Sequence, residues 1–286
     1  MFGKAKGLYD GTLRRIAPLH RLVRTLAWTG GELAVAVLSA LLRFDLPREE
    51  LLPLYKLELL LGTYEAGTVR RYRALLRPGG IVFDVGAHVG YHTLRFAALV
   101  GRGGRVFAFE PHAGNFRLLR RNVERRALPQ VTPIPHAVSD APGRQSFHET
   151  PLSMGHSLLP LKEHTGHVEV TRTSLDHFVR EQSIERADLI KIDVEGAEPE
   201  VLEGMRGLAA RSPGLGVIVE FKPALLARRG FPPTELPQRL ASMGFTVSRI
   251  GAGGALAPLP GDAAALAALG TCNLLGLRPG EGGPRP

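Results

Sequence analysis

Cysteine is nearly missing from the chain. Cys272 is the single one in 286 residues, which excludes an internal disulfide and any zinc cage built on thiolates. A reducing, cytoplasmic setting is the corresponding expectation. Aromatic residues are also sparse, at 6%, with one tryptophan. No basic patch is interleaved with them, so nucleic acid is not an expected partner. A long hydrophobic run is absent too. Leu33 to Leu42 is apolar but falls short of the roughly 20 residues that a bilayer span needs. It also makes a poor signal peptide, because Glu32 borders it and the basic part before it is long.

What is present is ample for a core. Hydrophobic residues make up 44% of the chain, the net charge is +9 and the pI is about 10.2. Arginine heavily outnumbers lysine amid abundant Ala, Gly and Pro, so the positive balance reads as compositional as much as functional. Arg14, Arg15, Arg21 and Arg24 alternate with Leu13, Ile16, Leu19, Leu22 and Val23, the pattern of a basic amphipathic helix. With Trp28, this leaves membrane-surface contact through residues 1–45 open. Residues 1–70 are expected to form a helical extension, with Glu58 to Arg77 as the helix leading into the first strand. Pro78-Gly79-Gly80 then breaks it.

The organising stretch is Ile81 to Tyr91. Ile81-Val82-Phe83 reads as a buried strand, and Gly86 and Gly90 mark a sharp turn or a close approach to a ligand. A helix from about Tyr91 to Val100 opens with free N–H groups that suit an electron-rich ligand. Asp84 sits at the carboxyl end of the strand, where open α/β sheets bind ligands. Arg105 to Phe109 is a second strand and ends at Glu110. An acid there can accept hydrogen bonds from both ribose hydroxyls of a nucleoside cofactor. Acids that merely cap the following helices are the bland alternative.

Further along, Asn115 to Ala127 is a helix and Val131 to Ile134 a third strand. Asp140 stands where it either accepts from an exocyclic amine such as that of adenine or simply forms a turn. Gln145–Glu149 and Val168–Thr173 are expected to pair around an insertion containing His156. His148, His156, His164 and His167 match no metal-ligand spacing, so no metal ligand is assigned among them. A loop over the active site is the expected role of the insertion. The apolar strand Leu189 to Ile192 ends in Asp193, followed by Glu195 and Glu198. The strand Gly216 to Phe221 carries Glu220. Asp193 is costly at the end of an apolar strand unless it is paired or ligand-bound. Pro232 to Met243 is a helix; Phe245 to Ile250 and Asn273 to Leu277 are the last strands. Residues from Pro279 on are expected to be a disordered tail.

Taken together, Phe83-Asp84-Val85-Gly86-Ala87-His88-Val89-Gly90-Tyr91, Val106 to Pro111, Ala137 to Asp140, Leu175-Asp176 and Ile190 to Glu198 resemble the FkbM-type methyltransferases, which belong to the class I S-adenosylmethionine-dependent group. His88 stands where that family more often has Asn. The resemblance covers roughly residues 75 to 222. It implies a Rossmann-like α/β domain over residues 71–278, with a seven-stranded sheet whose last strand is antiparallel. It also implies O-methylation of a hydroxyl on a small molecule or glycan.

Asp84, Gly86, Ala87, His88, Gly90 and Tyr91 would then shape the site for the amino-acid end of S-adenosylmethionine. Glu110, with Pro111, would take the ribose and Asp140 the adenine. A hydroxyl must lose its proton during attack, which calls for a base or a divalent metal. Asp193 is the first candidate for either role, followed by Glu195, Glu220 and His156. A nicotinamide-dependent oxidoreductase is the alternative enzyme, but the turn lacks the three-glycine pyrophosphate pattern. A non-catalytic membrane- or glycan-binding module on the same fold is the other alternative.

Overall fold

The computed structural model describes residues 17–47, 53–149 and 166–278. His156 and the tail lie outside them. Two units are distinguished. The first contains the helices Ala17–Leu42 and Pro53–Leu61, tied by Lys56 Nζ to Glu32 Oε1 at 3.0 Å. No helix among the described residues is long and apolar enough to cross a membrane. The expected single helix from Glu58 to Arg77 is instead two, Pro53–Leu61 and Ala66–Leu75. Gly62 (φ +74°) and Glu65 (φ +46°) take left-handed backbone between them and break the helical run.

The second unit runs from Glu65 onward. Its strands in chain order are β1 (Ile81–Val85), β2 (Arg105–Phe109), β3 (Val131–Ile134), β4 (Ala137–Val138), β5 (Gly143–Glu149), β6 (Gly166–Thr173), β7 (Leu189–Ile192), β8 (Gly216–Phe221), β9 (Thr246–Ile250), β10 (Leu256–Pro258) and β11 (Cys272–Leu277). The main sheet has the order β10-β9-β11-β8-β7-β1-β2-β3. Strands β3, β2, β1, β7 and β8 are parallel, and β11 runs antiparallel between β8 and β9.

The expected antiparallel last strand is therefore present, but the sheet has eight strands rather than seven. The extra strand is β10, a three-residue edge that pairs antiparallel with β9. Its run Leu-Ala-Pro is too short for any periodicity to announce it. Strands β4, β6 and β5 form a separate small sheet, with Gly143–Glu149 antiparallel to Gly166–Thr173 as expected.

Every residue of β1 is buried, as a central parallel strand covered on both faces requires. Successive side chains feed opposite cores. Phe83 joins Phe107, Phe109 and Phe178 on one face, with the Phe83 and Phe107 rings 5.2 Å apart. Val82 joins Val106, Phe96 and Tyr72 on the other. Burying each such aromatic contributes about 1.5–3 kcal/mol. The chain leaves β1 toward β2 and β3 on one side and returns through β7 and β8 on the other. The reversal between β1 and β7 opens a crevice at the carboxyl ends of both strands, which is where such sheets take ligands.

Candidate active site

The first wall of the crevice is the turn after β1. Asp84 is fully buried; its Oδ2 accepts from Thr93 Oγ1 at 2.5 Å, and its Oδ1 has no hydrogen-bond partner. Burial pushes its carboxyl up, against the opposing pull of Lys191. Gly86 has φ +83°, and a Cβ there would lie 1.8 Å from the carbonyl oxygen of Asp193. Only glycine lets the turn pass so close to the neighbouring strand end. Gly86 N and Ala87 N donate to the carbonyl of Phe109 at 3.0 and 2.9 Å, which pins the turn to β2. His88 also has left-handed backbone, at φ +51°. Gly90 caps the helix Tyr91–Val100, with Arg95 stacked over the Tyr91 ring.

Glu110 follows β2, with Pro111 after it. One carboxylate oxygen accepts from His88 N and the other from His112 N, both at 2.9 Å. Burial raises it to about 7 although these bonds oppose the shift. Asn115 adds a side-chain hydrogen bond, which leaves the carboxylate one of its roughly four acceptor positions for a hydroxyl donor. Asp140 differs from these two acids. Its side chain is half exposed and pairs with Arg172 Nη1 at 3.0 Å.

The second wall comes from β7 and β8. Lys191 is buried inside β7 and gives its Nζ to Asp193 Oδ2 at 3.0 Å. Burial pushes Asp193 up, but Lys191, Glu220 and Lys222 outweigh it and hold the group well below the usual carboxylate range. Glu220, on β8, is pushed up to about 10 by burial and by the charge of Asp193. The two acids thus shift each other in opposite directions, Asp193 down and Glu220 up. Lys222 Nζ lies 2.6 Å from Glu195 Oε1 and 2.7 Å from Glu220 Oε2. Glu195 itself has left-handed backbone at φ +54°.

Three of the acids expected from the sequence, Asp193, Glu195 and Glu220, thus converge through two lysines. Glu198 does not join them. Its Oε1 accepts from Gly196 N and Val194 N and shapes the turn before its own helix. Asp176 is likewise structural, accepting from Gly207 N and Leu208 N.

Several members of the site escaped sequence reasoning. Glu65 brings a carboxylate oxygen within 4.8 Å of oxygens of Asp193 and Glu220. Asn273, opposite Glu220 in the β8–β11 register, donates its Nδ2 to Thr68 Oγ1 at 3.0 Å. Nothing local announces these partners, which lie 205 positions apart. Lys222 was findable: it stands two residues beyond Glu220 and therefore on the same face. Behind Glu65, Tyr72 Oη and His92 Nδ1 meet at 2.7 Å in full burial, and burial keeps His92 neutral by pushing its pKa well down.

A family profile described as the methyltransferase FkbM domain matches residues 84–247. The hexuronic acid methyltransferase AglP of Haloferax volcanii is 32% identical over 125 residues, covering 44% of this chain and 49% of that protein. The 31-O-demethyl-FK506 methyltransferase FkbM of Streptomyces tacrolimicus is 31% identical over 164 residues, 47% of this chain and 63% of that protein. The 2-O-methyltransferase NoeI of Sinorhizobium fredii is 29% identical over 149 residues, 46% and 59% respectively. The chain thus spans about half to under two thirds of the length of these relatives.

Among solved structures, an O-methyltransferase from Bacillus cereus is similar with a TM-score of 0.43 at 14% identity, covering 87% of this chain and 91% of that one. The profile covers more than half of the residues and includes the turn after β1, Glu110, Asp193 and Glu220. The chain therefore belongs to the FkbM family of S-adenosylmethionine-dependent methyltransferases.

Proposed function

We propose that the chain moves a methyl group from S-adenosylmethionine to a hydroxyl oxygen of a small-molecule or glycan acceptor. The observation that carries this reading is the contact between the Gly86 turn and the backbone of Asp193. That contact sets an ionised carboxylate beside the turn assigned to the amino-acid end of the cofactor. The relatives' printed activities, on a hexuronic acid and at a 2-O position, support an oxygen acceptor of sugar type.

The residues present fit the cofactor. Asp84 Oδ1 is a buried acceptor with no hydrogen bond, and Glu110, held by His88 N, His112 N and Asn115, keeps acceptor capacity for a ribose hydroxyl. Gly86, Ala87, His88, Gly90 and Tyr91 line the turn between them. Asp140, exposed and held by Arg172, is left with the adenine edge in this assignment. Once bound, S-adenosylmethionine supplies an electrophilic methyl on a sulfonium.

This chain's own residues supply position and a proton acceptor. Asp193 would accept the hydrogen bond of the acceptor hydroxyl and then its proton, as the new O–C bond replaces the S–C bond of the sulfonium and leaves a neutral thioether. Lys191 keeps Asp193 ionised for that role. Lys222 holds Glu195 and Glu220 in register. Calorimetry with S-adenosylhomocysteine, followed by labelled methyl transfer to a panel of sugars and small hydroxyl compounds, tests the reading. Undetectable S-adenosylhomocysteine binding by the folded chain sinks it. Asp193→Asn is expected to keep that binding and lose transfer.

A further inference from the structure

We propose that Glu65, Asp193 and Glu220, with the amide oxygen of Asn273, hold a hard divalent cation such as Mg²⁺ or Mn²⁺ at the acceptor end of the crevice. One oxygen from each of the three acids lies within 4.8 Å of the other two. An ion coordinated at 2.0–2.6 Å gathers oxygens over about that span. The three acids arrive from separate parts of the chain: the start of the helix Ala66–Leu75, the end of β7, and β8.

The second observation is Asn273 itself. It is only 9% exposed, and its Oδ1 is buried with no hydrogen-bond partner. Asn273 pairs directly with Glu220 across the antiparallel β8–β11 register, so both side chains stand on the same face of the sheet. Its amide N–H group donates to Thr68 Oγ1 and hydrogen-bonds the Glu65 carboxylate, which ties the amide to this cluster and leaves its oxygen unsatisfied. Glu65 Oε2 is also buried without a hydrogen bond, and Nε2 of the neutral His92 lies 3.6 Å from it. Buried acceptors without donors are costly, and both are of the type that ligates a cation.

Charge leads to the same place. Asp84, Glu65, Asp193, Glu195 and Glu220 interact with one another around two cations, Lys191 and Lys222. The lysines face Asp193 Oδ2, Glu195 Oε1 and Glu220 Oε2, one oxygen of each acid. The ligand set is all oxygen, with no thiolate and no imidazole among the three acids and the amide. That selects a hard ion over zinc or copper.

A hydroxyl oxygen drawn to such an ion gives up its proton more readily. That use rests on the methyltransferase reading; the binding of the ion does not.

The test titrates the full-length chain with MnCl₂ followed by electron paramagnetic resonance, and with MgCl₂ by calorimetry, each with and without S-adenosylhomocysteine. One saturable site is expected. Glu65→Gln and Asn273→Leu, checked for folding by circular dichroism, should each weaken it at least about tenfold. Glu110→Ala should lose S-adenosylhomocysteine and keep the ion. If the folded chain takes up no Mn²⁺ to about 10 mM, beyond the weakest protein sites, the cation site is overturned. The methyltransferase reading then stands if S-adenosylhomocysteine still binds. Mn²⁺ binding that survives both Glu65→Gln and Asn273→Leu also overturns the proposal, because the ion then sits elsewhere. Mn²⁺ binding lost in the variants, without S-adenosylhomocysteine binding by wild type, supports the cation site and refutes the methyltransferase reading.

Discussion

Replacing Gly86 by alanine tests the glycine, among the described residues, with the least room for a side chain. Two costs add there. The backbone sits at φ +83°, which an L-residue adopts at about 1–2 kcal/mol. The new Cβ would also fall 1.8 Å from the Asp193 carbonyl oxygen, a backbone atom that cannot swing aside. Forcing such a contact apart costs roughly another 1–3 kcal/mol. The sum is about 2–5 kcal/mol, or some 4–20 °C of melting temperature for a domain of this size. Two controls separate the parts. Gly79 has φ +85° but nothing within 4 Å of a built Cβ, so Gly79→Ala carries the backbone cost alone. Gly103 has open space and ordinary φ, so Gly103→Ala should be near neutral. The assay is thermal and urea unfolding of all three, with S-adenosylhomocysteine calorimetry on the folded fractions. Equal losses for Gly86→Ala and Gly79→Ala would refute the claim that the turn and the Asp193 strand end are fixed against each other.

Other perturbations follow from the same geometry. Lys191→Met removes the buried ammonium 3.0 Å from Asp193 Oδ2 and should cost about 3–5 kcal/mol in urea unfolding; a loss under 1 kcal/mol, a surface pair's range, would show that the pair is not structural. Glu110→Ala strands His88 N and His112 N, at about 1–3 kcal/mol each, and should abolish S-adenosylhomocysteine binding by calorimetry.

Glu198 gives a pH signature. Burial raises it from 4.5 to about 7 in the folded chain. The folded form therefore binds its proton more tightly than the unfolded one. Its contribution is complete below about 4.5 and fades as pH climbs to about 7, by at most about 3 kcal/mol. Glu198→Gln keeps an oxygen for Gly196 N and Val194 N and should flatten stability over that window. An unchanged slope in urea melts between pH 4.5 and 7 would count against the assignment.

The parts of the site that were legible share one trait. Asp84, Glu110, Asp193 and Glu220 each end or interrupt an apolar strand, where a charge stands out against its neighbours. The Gly86 turn was legible for the same reason, because glycine beside a buried strand has few other uses. The illegible parts are long-range. Glu65 sits in a stretch of ordinary helical composition, and its value comes only from the acids it meets. Asn273 looks like an unremarkable residue of a last strand until β11 inserts beside β8. The edge strand Leu256–Pro258 exists because β9 offers it an unpaired ladder, which no local pattern encodes. His88 was noted as a departure from the family, and its left-handed backbone explains the tolerance: Asn and His share that preference.

Glu65 and Asn273 both fall outside residues 84–247, the portion shared with the family profile. The Gly86 turn, Glu110, Asp193 and Glu220 lie inside that portion, while two members of the proposed cation site come from the sequence on either side of it. If the proposed cation site holds, the flanks can vary separately from the portion matched by the family profile. Grafting the flanks of one relative onto the middle of another becomes a rational route to new methylation patterns.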